Sequence, residues 1–271
     1  MDQTTNPFFI IGCTRSGTTL LRNLLRLHPN LNAPEETFFY RWGEPYGSDG
    51  YRHVYLNNPT IKHHQSLDGI VPEHADAMLA QSSSRRELSV RYGRAFLRRT
   101  QRGDRWFDKT PQNIYGVLLI RAQFPTSKII HIHRHPLNVV ASLRTGKVMP
   151  KQSLVAAVNY WVEAMQIIGV YRQLPNNNLI ELAYEELVTA PIITMGELLD
   201  HLGEDVSQYD FSKIITPTKA KSEPELGDIY VEPDRSKYQE ILTSDEIDFV
   251  LKYCAPYMEQ FGYKDLRMVE S

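Results

Sequence analysis

The stretch from Pro7 to Leu25, PFFIIGCTRSGTTLLRNLL, constrains the fold more than any other part of this chain. The apolar run Phe8 to Ile11 breaks at Gly12 and a polar loop follows. After Gly17 the residues Leu20, Leu21, Leu24 and Leu25 recur at helical spacing. That order predicts a buried strand, a phosphate loop and a helix. The backbone N–H groups of such a loop and of the helix's first turn lack internal partners. They converge with the positive end of the helix dipole, so an anion binds there.

The spacing Gly12-x-x-x-x-Gly17-Thr18-Thr19 matches a nucleoside-triphosphate loop, G-x-x-x-x-G-K-[ST], except that Thr18 replaces the lysine. That lysine normally reaches the β- and γ-phosphates of ATP or GTP. Here the cation in the loop is Arg15, set beside Ser16. The expected ligand is a phosphate-bearing nucleotide whose transferable group is not a γ-phosphate.

Further along, Glu35 and Glu36 follow Ala33-Pro34 and precede the aromatic group Phe38, Phe39, Tyr40 and Trp42. The stretch 43–58, rich in Gly, Pro, Tyr and Asn, reads as a long surface loop. Helices are expected over Val71–Leu79 and Glu87–Arg102. A short strand over Arg105–Asp108 leads into Lys109-Thr110-Pro111, and a helix runs from Asn113 to Phe124. KIIHIH, Lys128 to His133, is a second buried strand ending at Arg134-His135-Pro136. Helices follow over Leu137–Leu143 and Ser153–Leu174. Asn178–Ala183 is a third buried strand, ending at Tyr184-Glu185-Glu186. Pro191–Leu202 and Ser244–Phe261 are helical, with Ser244 a candidate N-cap. Strands alternating with helices argue an α/β, P-loop-type three-layer fold, its central parallel sheet flanked by helices. Arg15, Lys109, Arg134 and Tyr184 fall at or near the carboxyl ends of strands, where such folds place their sites.

At 271 residues the chain fits one domain, 1–271, with a loop and helical insertion at about 43–102. A net charge of −2 gives no reason to expect nucleic acid or an anionic membrane as a partner. Two cysteines, Cys13 and Cys254, form no disulfide framework, and no metal-ligand spacing is present. His131, His133 and His135 alternate along one strand, but without a nearby carboxylate or cysteine they read as strand residues, not as ligands. The N-terminus lacks a basic region, and no apolar run reaches the length of a membrane span. The expectation is a soluble, cytoplasmic protein, for which a homodimer is an allowed assembly.

Together these segments resemble the nucleotide-dependent sulfotransferases, whose donor is 3′-phosphoadenosine-5′-phosphosulfate (PAPS), and most of all the tyrosylprotein branch and its bacterial relatives. Cys13 to Leu20 resembles the family's 5′-phosphosulfate loop, which implies that Arg15, Ser16, Gly17, Thr18 and Thr19 hold the 5′-phosphate. His131 to Pro136, with Ser142 beyond it, resembles the 3′-phosphate motif, so that Arg134 and Ser142 grip the 3′-phosphate. A guanidinium fork suits a phosphate geometrically. By the family's spacing Glu36, not Glu35, takes the place of the catalytic base. Lys109 resembles the lysine of the Lys-Asp-Pro segment, and Tyr184-Glu185-Glu186-Leu187 the Tyr-Glu-x-Leu segment whose tyrosine contacts the nucleotide. Ser236-Lys237-Tyr238 resembles Ser-Lys-Trp, which implies that Lys237 binds the donor. Ser222, fifteen residues before Lys237, falls where the family has a serine that stabilises the transition state.

The resemblance implies in-line sulfuryl transfer from PAPS to an acceptor hydroxyl, with 3′,5′-adenosine diphosphate as product and no metal required. Positioning and electrostatics dominate such a transfer. The acceptor is a small molecule, a sugar or a peptide tyrosine. The tyrosylprotein enzymes place arginines after the catalytic glutamate to read acidic peptides. Here Thr37, Phe38, Phe39 and Trp42 occupy that stretch and Arg41 alone is basic, so an aromatic-lined acceptor pocket is expected. Two other readings stay open on the residues alone. One is a P-loop kinase-like phosphotransferase, and the other is a nucleotide-binding protein without turnover.

Overall fold

A computed structural model describes residues 6–146, 150–219, 225–233 and 237–265. Its centre is β1, Phe8–Ile11, four residues buried on both faces. Such a strand needs hydrogen-bonded neighbours on each side and apolar layers above and below. β3, Arg105–Lys109, pairs parallel with it on one side, and β4, Ile129–His133, on the other. The two-residue β2, Leu31–Asn32, extends the sheet beyond β3, and β5, Leu179–Ala183, extends it beyond β4. Among the described residues the order is β2-β3-β1-β4-β5, all parallel.

Alternate residues of β1 serve opposite layers, as the period of a strand dictates. Phe8 and Ile10 join Leu21, Leu24 and Leu25 of α1, Thr18–Leu25, and Leu198 and Leu199 of α10, Pro191–Leu202. Phe8 and Phe107 stack at 4.7 Å with planes 9° apart. Phe9 and Ile11 face the other layer, where Leu137, Val140, Trp161, Met165 and Ile168 pack. Those residues come from α7, Pro136–Thr145, and α8, Leu154–Tyr171, which pack with α12, Ser244–Met258. The result is the α/β three-layer arrangement that the alternating pattern predicts.

The segment between β2 and β3 differs from expectation. The stretch 43–58 holds a helix, α2, Asp49–Asn57, in place of a long loop. Ser48 caps it, and Tyr51 and Tyr55, one turn apart, form its buried face. Asn58 then caps α3, Pro59–Leu67, through its side chain, with proline at the first helical position. α4, Pro72–Ala80, and α5, Arg85–Thr100, complete the segment. Buried Arg85 donates to the carbonyls of Phe39, Trp42 and Glu44 and so pins the loop that follows Glu36. Gly93 lets α5 close on Trp106, since a Cβ there would lie 2.2 Å from the indole.

The remaining helices are α6, Val117–Gln123, after a 3₁₀ turn at Pro111–Gly116; α9, Tyr184–Thr189; and α11, Lys237–Ile241. A small parallel pair, β6 at Ile214–Ile215 and β7 at Ile229–Tyr230, lies near α10 in the chain. The N-cap of α12 is Thr243, not Ser244. Thr243 and Glu246 form a reciprocal capping box that Ser244 is one residue too late to make. α8 alone among the described helices is long and apolar enough to cross a bilayer by length and composition. Its Trp161, Met165 and Ile168 are buried in the core.

Candidate active site

The register brings four strand ends to one edge of the sheet. Ile10 pairs with Lys109, Ile11 with His131, and His133 with Ala183. Gly12, Thr110, Arg134 and Tyr184 therefore begin adjacent connections.

In the first of these, the chain turns through Arg15 (φ 76°) and Gly17 (φ 93°) into α1. Gly17 is the N-cap residue and offers no side chain to the first-turn N–H groups. A Cβ at Gly17 would stand 2.3 Å from the Tyr184 ring, so glycine serves both the left-handed turn and the close approach of Tyr184. Ser16 is fully buried, yet its Oγ has no hydrogen-bond partner among the described residues, and the same holds for Thr14 Oγ1. Buried hydroxyls beside unsatisfied helix N–H groups fit an oxyanion as missing partner.

Two arginines meet at this loop. Arg15 Nε donates to Ser142 Oγ at 2.9 Å, so the residues expected at the two phosphates are in direct contact. Arg134 donates from Nη1 to the Arg15 carbonyl at 3.1 Å, and its guanidinium lies 4.3 Å over the Tyr184 ring. Trp161 Nε1 donates to the Arg134 carbonyl at 2.9 Å and fixes the end of β4. Burial first, and then the charge of Arg134, lower the Arg15 pKa, with Glu36 opposing. A buried and a half-buried cation held together in this way favour an anion between them.

Opposite the loop, Lys109 at the end of β3 reaches Glu36. Nζ donates to Oε1 at 2.6 Å, and the lysine side chain is 3% exposed. Glu35 turns away and accepts from Arg22 Nη1 at 2.7 Å. Burial pushes the Glu35 carboxyl up, but the Arg22 hydrogen bond and charge outweigh it and hold it below its usual range. Glu36 borders the cavity, while Glu35 is engaged outside it.

The Glu36 segment is fastened to β3 from below. Thr37 Oγ1 donates to Asp108, the Thr37 N–H donates to Thr110 Oγ1 at 2.9 Å, and the Tyr40 N–H donates to Asn113 Oδ1 at 3.1 Å. Asn113 Nδ2 donates to Asp108 Oδ1 at 3.3 Å. Burial raises the Asp108 carboxyl to about 6; Thr37 and Thr110 oppose the shift, Glu36 adds to it, and Lys109 opposes it.

A cavity of about 550 Å³ runs from Thr14–Thr19 past Arg134 and Tyr184 to Glu36, then on to Phe38, Trp42, Asn58, Thr60 and His64. Phe38 and Trp42 border it. Phe39 does not: it packs in the core, edge-on to Tyr92 at 5.5 Å and beside Tyr55. The left-handed backbone of Phe38 (φ 55°) sends these consecutive aromatics to different surroundings. Arg41 is held by Gln112 Oε1 at 2.9 Å and lies 4.4 Å over the Tyr115 ring.

Of the remaining expected residues, Lys237 opens α11, which packs on α7, the helix carrying Ser142. Ser222 and Ser236 lie outside the described residues. His64, Asn58 and Thr60 were not foreseen at the site; the signal that could have found their helix is Asn58-Pro59, a cap followed by proline. Also unforeseen is the anchor behind Arg134. Glu185 accepts from the His135 N–H at 2.9 Å and from the Tyr263 hydroxyl at 3.1 Å, and Tyr263 lies 2.6 Å from His133 Nδ1. Among the described residues no group of three His, Cys, Asp or Glu is placed to hold a metal ion.

Comparison with known proteins bears on the family and the fold. A family profile described as the sulfotransferase family matches residues 7–208. Nodulation protein NoeE of Sinorhizobium fredii is 28% identical over 138 residues, which is 51% of this chain and 30% of NoeE, so the match spans less than a third of that relative. The sulfotransferase domain of the olefin synthase of Synechococcus PCC 7002 superposes with a TM-score of 0.61 at 23% identity, covering 96% of this chain and 95% of that one. A sulfotransferase from Mycobacterium avium gives 0.55 at 15% identity, covering 96% and 77%. At these identities the structural likeness speaks for the fold.

Proposed function

The chain belongs to the sulfotransferase family, and on that premise we propose that it transfers a sulfuryl group from PAPS to an acceptor hydroxyl, with Glu36 as general base. The observation that carries the reading is that one cavity is lined by Arg15 and Arg134, backed by Ser142 and the buried Ser16 hydroxyl, and by Glu36, which is paired with buried Lys109.

The donor supplies an activated sulfur whose bond to the 5′-phosphate breaks, and 3′,5′-adenosine diphosphate departs. The chain's residues orient it. The N–H groups of Gly17, Thr18 and Thr19 and the hydroxyls of Ser16 and Thr18 cradle the 5′-phosphate, while Arg134, with Ser142 held by Arg15, meets the 3′-phosphate. The Tyr184 ring, packed on Gly17 and under Arg134, offers a face to the nucleotide. Glu36 takes the proton of the attacking hydroxyl as its oxygen bonds to sulfur. Lys109 answers the negative charge gathering on the sulfuryl and leaving oxygens. Ser222 and Lys237 complete the proposed donor and transition-state contacts. The site needs no metal for these roles, since its cations are side chains.

Calorimetric titration with 3′,5′-adenosine diphosphate, beside ATP and 5′-AMP, tests the donor class. Micromolar binding of the bisphosphate that is lost in Arg134→Ala supports the reading. A preference for Mg·ATP would turn it toward a phosphotransferase, and absence of nucleotide binding would overturn it.

A further inference from the structure

Beyond Glu36 the cavity continues along a surface that belongs to α3 and the loop before it, and nothing in the phosphate machinery uses that part. Phe38 and His64 stack there at 5.8 Å with planes 17° apart, and Trp42, Asn58 and Thr60 border the same space. His64 also reaches the catalytic segment: its Nδ1 lies 2.9 Å from the Glu36 carbonyl oxygen. Only an N–H can face a carbonyl, so Nδ1 carries the proton. In the neutral ring that leaves Nε2 with its lone pair, and Nε2 makes no hydrogen bond among the described residues. One turn on, Asp68 Oδ1 accepts the Glu35 N–H at 2.9 Å, so the end of α3 grips both residues of the Glu35-Glu36 pair. Asp68 is itself held by the Tyr92 hydroxyl at 2.7 Å.

We propose that His64 is the acceptor-reading residue of this site, and that the acceptor is an uncharged hydroxyl compound with a flat apolar ring. The proposal rests on the sulfotransferase reading above. The parallel rings of Phe38 and His64, with Trp42 nearby, offer flat faces to a flat partner. Phe38 is held in a left-handed conformation unusual for a bulky residue, which pre-sets its ring. His64 Nε2 accepts a hydrogen bond from a second hydroxyl at the acceptor's far edge, the reacting hydroxyl donating to Glu36, while Nδ1–H keeps Glu36 in place for the proton. Arg41, the basic residue of the stretch after Glu36, is bound to Gln112 and stacked between Tyr115 and Trp42. It is therefore engaged within the protein instead of reaching for an acidic peptide.

The test compares 2,7-dihydroxynaphthalene, a steroid diol and an acidic tyrosine peptide as acceptors at saturating PAPS, in wild type, His64→Asn and His64→Ala. Asparagine keeps an N–H near the position of Nδ1 but loses the ring and Nε2. We expect turnover of the ring alcohols with kcat/KM about tenfold or more above that of the peptide. His64→Asn should raise KM for 2,7-dihydroxynaphthalene about tenfold with kcat changed by less than about twofold, whereas His64→Ala should also lower kcat. Titration with 3′,5′-adenosine diphosphate, run on each variant, should agree within about twofold, because His64 makes no contact with the donor's phosphates in this reading. Preference for the peptide, no turnover of either ring alcohol by a wild type that binds the bisphosphate, or unchanged KM in both variants would overturn the proposal while leaving the donor reading intact. A wild type that fails to bind the bisphosphate would defeat the sulfotransferase reading itself.

Discussion

Lys109 Nζ stands 2.6 Å from Glu36 Oε1, joining residues 73 positions apart at the wall of the cavity that Glu36 lines. The pair is consequential because the lysine side chain is nearly buried while the carboxylate is a quarter exposed, so the cation is held in place and the anion faces the space. An acceptor hydroxyl donating to Glu36 meets a carboxylate whose other partner is fixed. If Glu36 removes the proton, Glu36→Gln should lower kcat by about 10²–10⁴-fold. Binding of 3′,5′-adenosine diphosphate should persist, since the amide can still accept from Lys109. Turnover within about threefold of wild type would remove Glu36 from the chemistry.

The contact between Arg15 and Ser142 makes a different prediction for the donor half. Arg15 and Arg134 repel one another when no anion lies between them, so a bound bisphosphate should stabilise the fold by more than its contacts alone suggest. At a hundredfold excess over Kd, ligand binding raises stability by about 2.7 kcal/mol. Thermal denaturation of wild type with and without 3′,5′-adenosine diphosphate should show an upward shift. Arg134→Ala should abolish that shift, and Ser142→Ala should reduce it while leaving part. An equal shift in Arg134→Ala and wild type would show that the anion binds elsewhere.

Gly17 offers a sharper probe of the same loop. Any Cβ there meets the Tyr184 ring at 2.3 Å and must adopt a left-handed backbone. Gly17→Ala should therefore weaken bisphosphate binding at least tenfold, about 1.4 kcal/mol. Gly17→Ala combined with Tyr184→Ala removes the clash and should recover part of the loss, measured by titration of the single and double variants. A double variant as weak as the sum of the two singles would show that the loop and the ring act independently.

What the sequence made legible follows from where the physical signals lie. β1, its loop and α1 were readable because Phe8–Ile11 is apolar on both faces and Leu20, Leu21, Leu24 and Leu25 repeat at helical spacing. The ends of β3, β4 and β5 could be placed because each apolar run stops at a charged or polar residue. β2 is two residues long and carries no period to detect. α2 was hidden because its apolar face consists of Tyr51 and Tyr55 within a Gly- and Asn-rich stretch. Glu36 and Lys109 were each readable through the family's spacing, whereas their direct pairing came only from the structure. His64 and Asp68 were unreadable as site residues because they act on backbone groups of Glu36 and Glu35, about thirty positions away. A backbone carbonyl leaves no residue type to recognise. Phe39 was grouped with Phe38 by composition, and a single left-handed residue separated them.

The alternating histidines of β4 and the turn after it lead to a prediction about acid stability. His131 is fully buried, His133 lies 2.6 Å from the Tyr263 hydroxyl, and His135 Nε2 lies 2.9 Å from the Lys264 carbonyl. Burial pushes all three pKa values below 6.5, His133 to about 3 and His135 to about 4, with His131 adding to the shift of His133 and Glu181 opposing it. As pH falls below 6.5 the unfolded chain binds protons that the folded chain refuses, so stability is present above that pH and is lost on acidification. A refused proton costs about 1 kcal/mol between pH 6.5 and 5.5, so His133 and His135 together cost about 2 kcal/mol over that interval, and His131 acts in the same direction. Asp108 acts in the opposite sense. Its folded carboxyl, raised to about 6, keeps a proton that the unfolded state releases above 3.8, so acidification relieves its burial. One group against three leaves a net loss. The midpoint of thermal unfolding should fall by about 5 °C between pH 7.5 and 5.5, given roughly 2–4 °C per kcal/mol for a chain of this size. His133→Gln should flatten that dependence, because it removes one refused proton. A midpoint that stays level down to pH 5.5 would mean that these imidazoles accept protons without disturbing the strand.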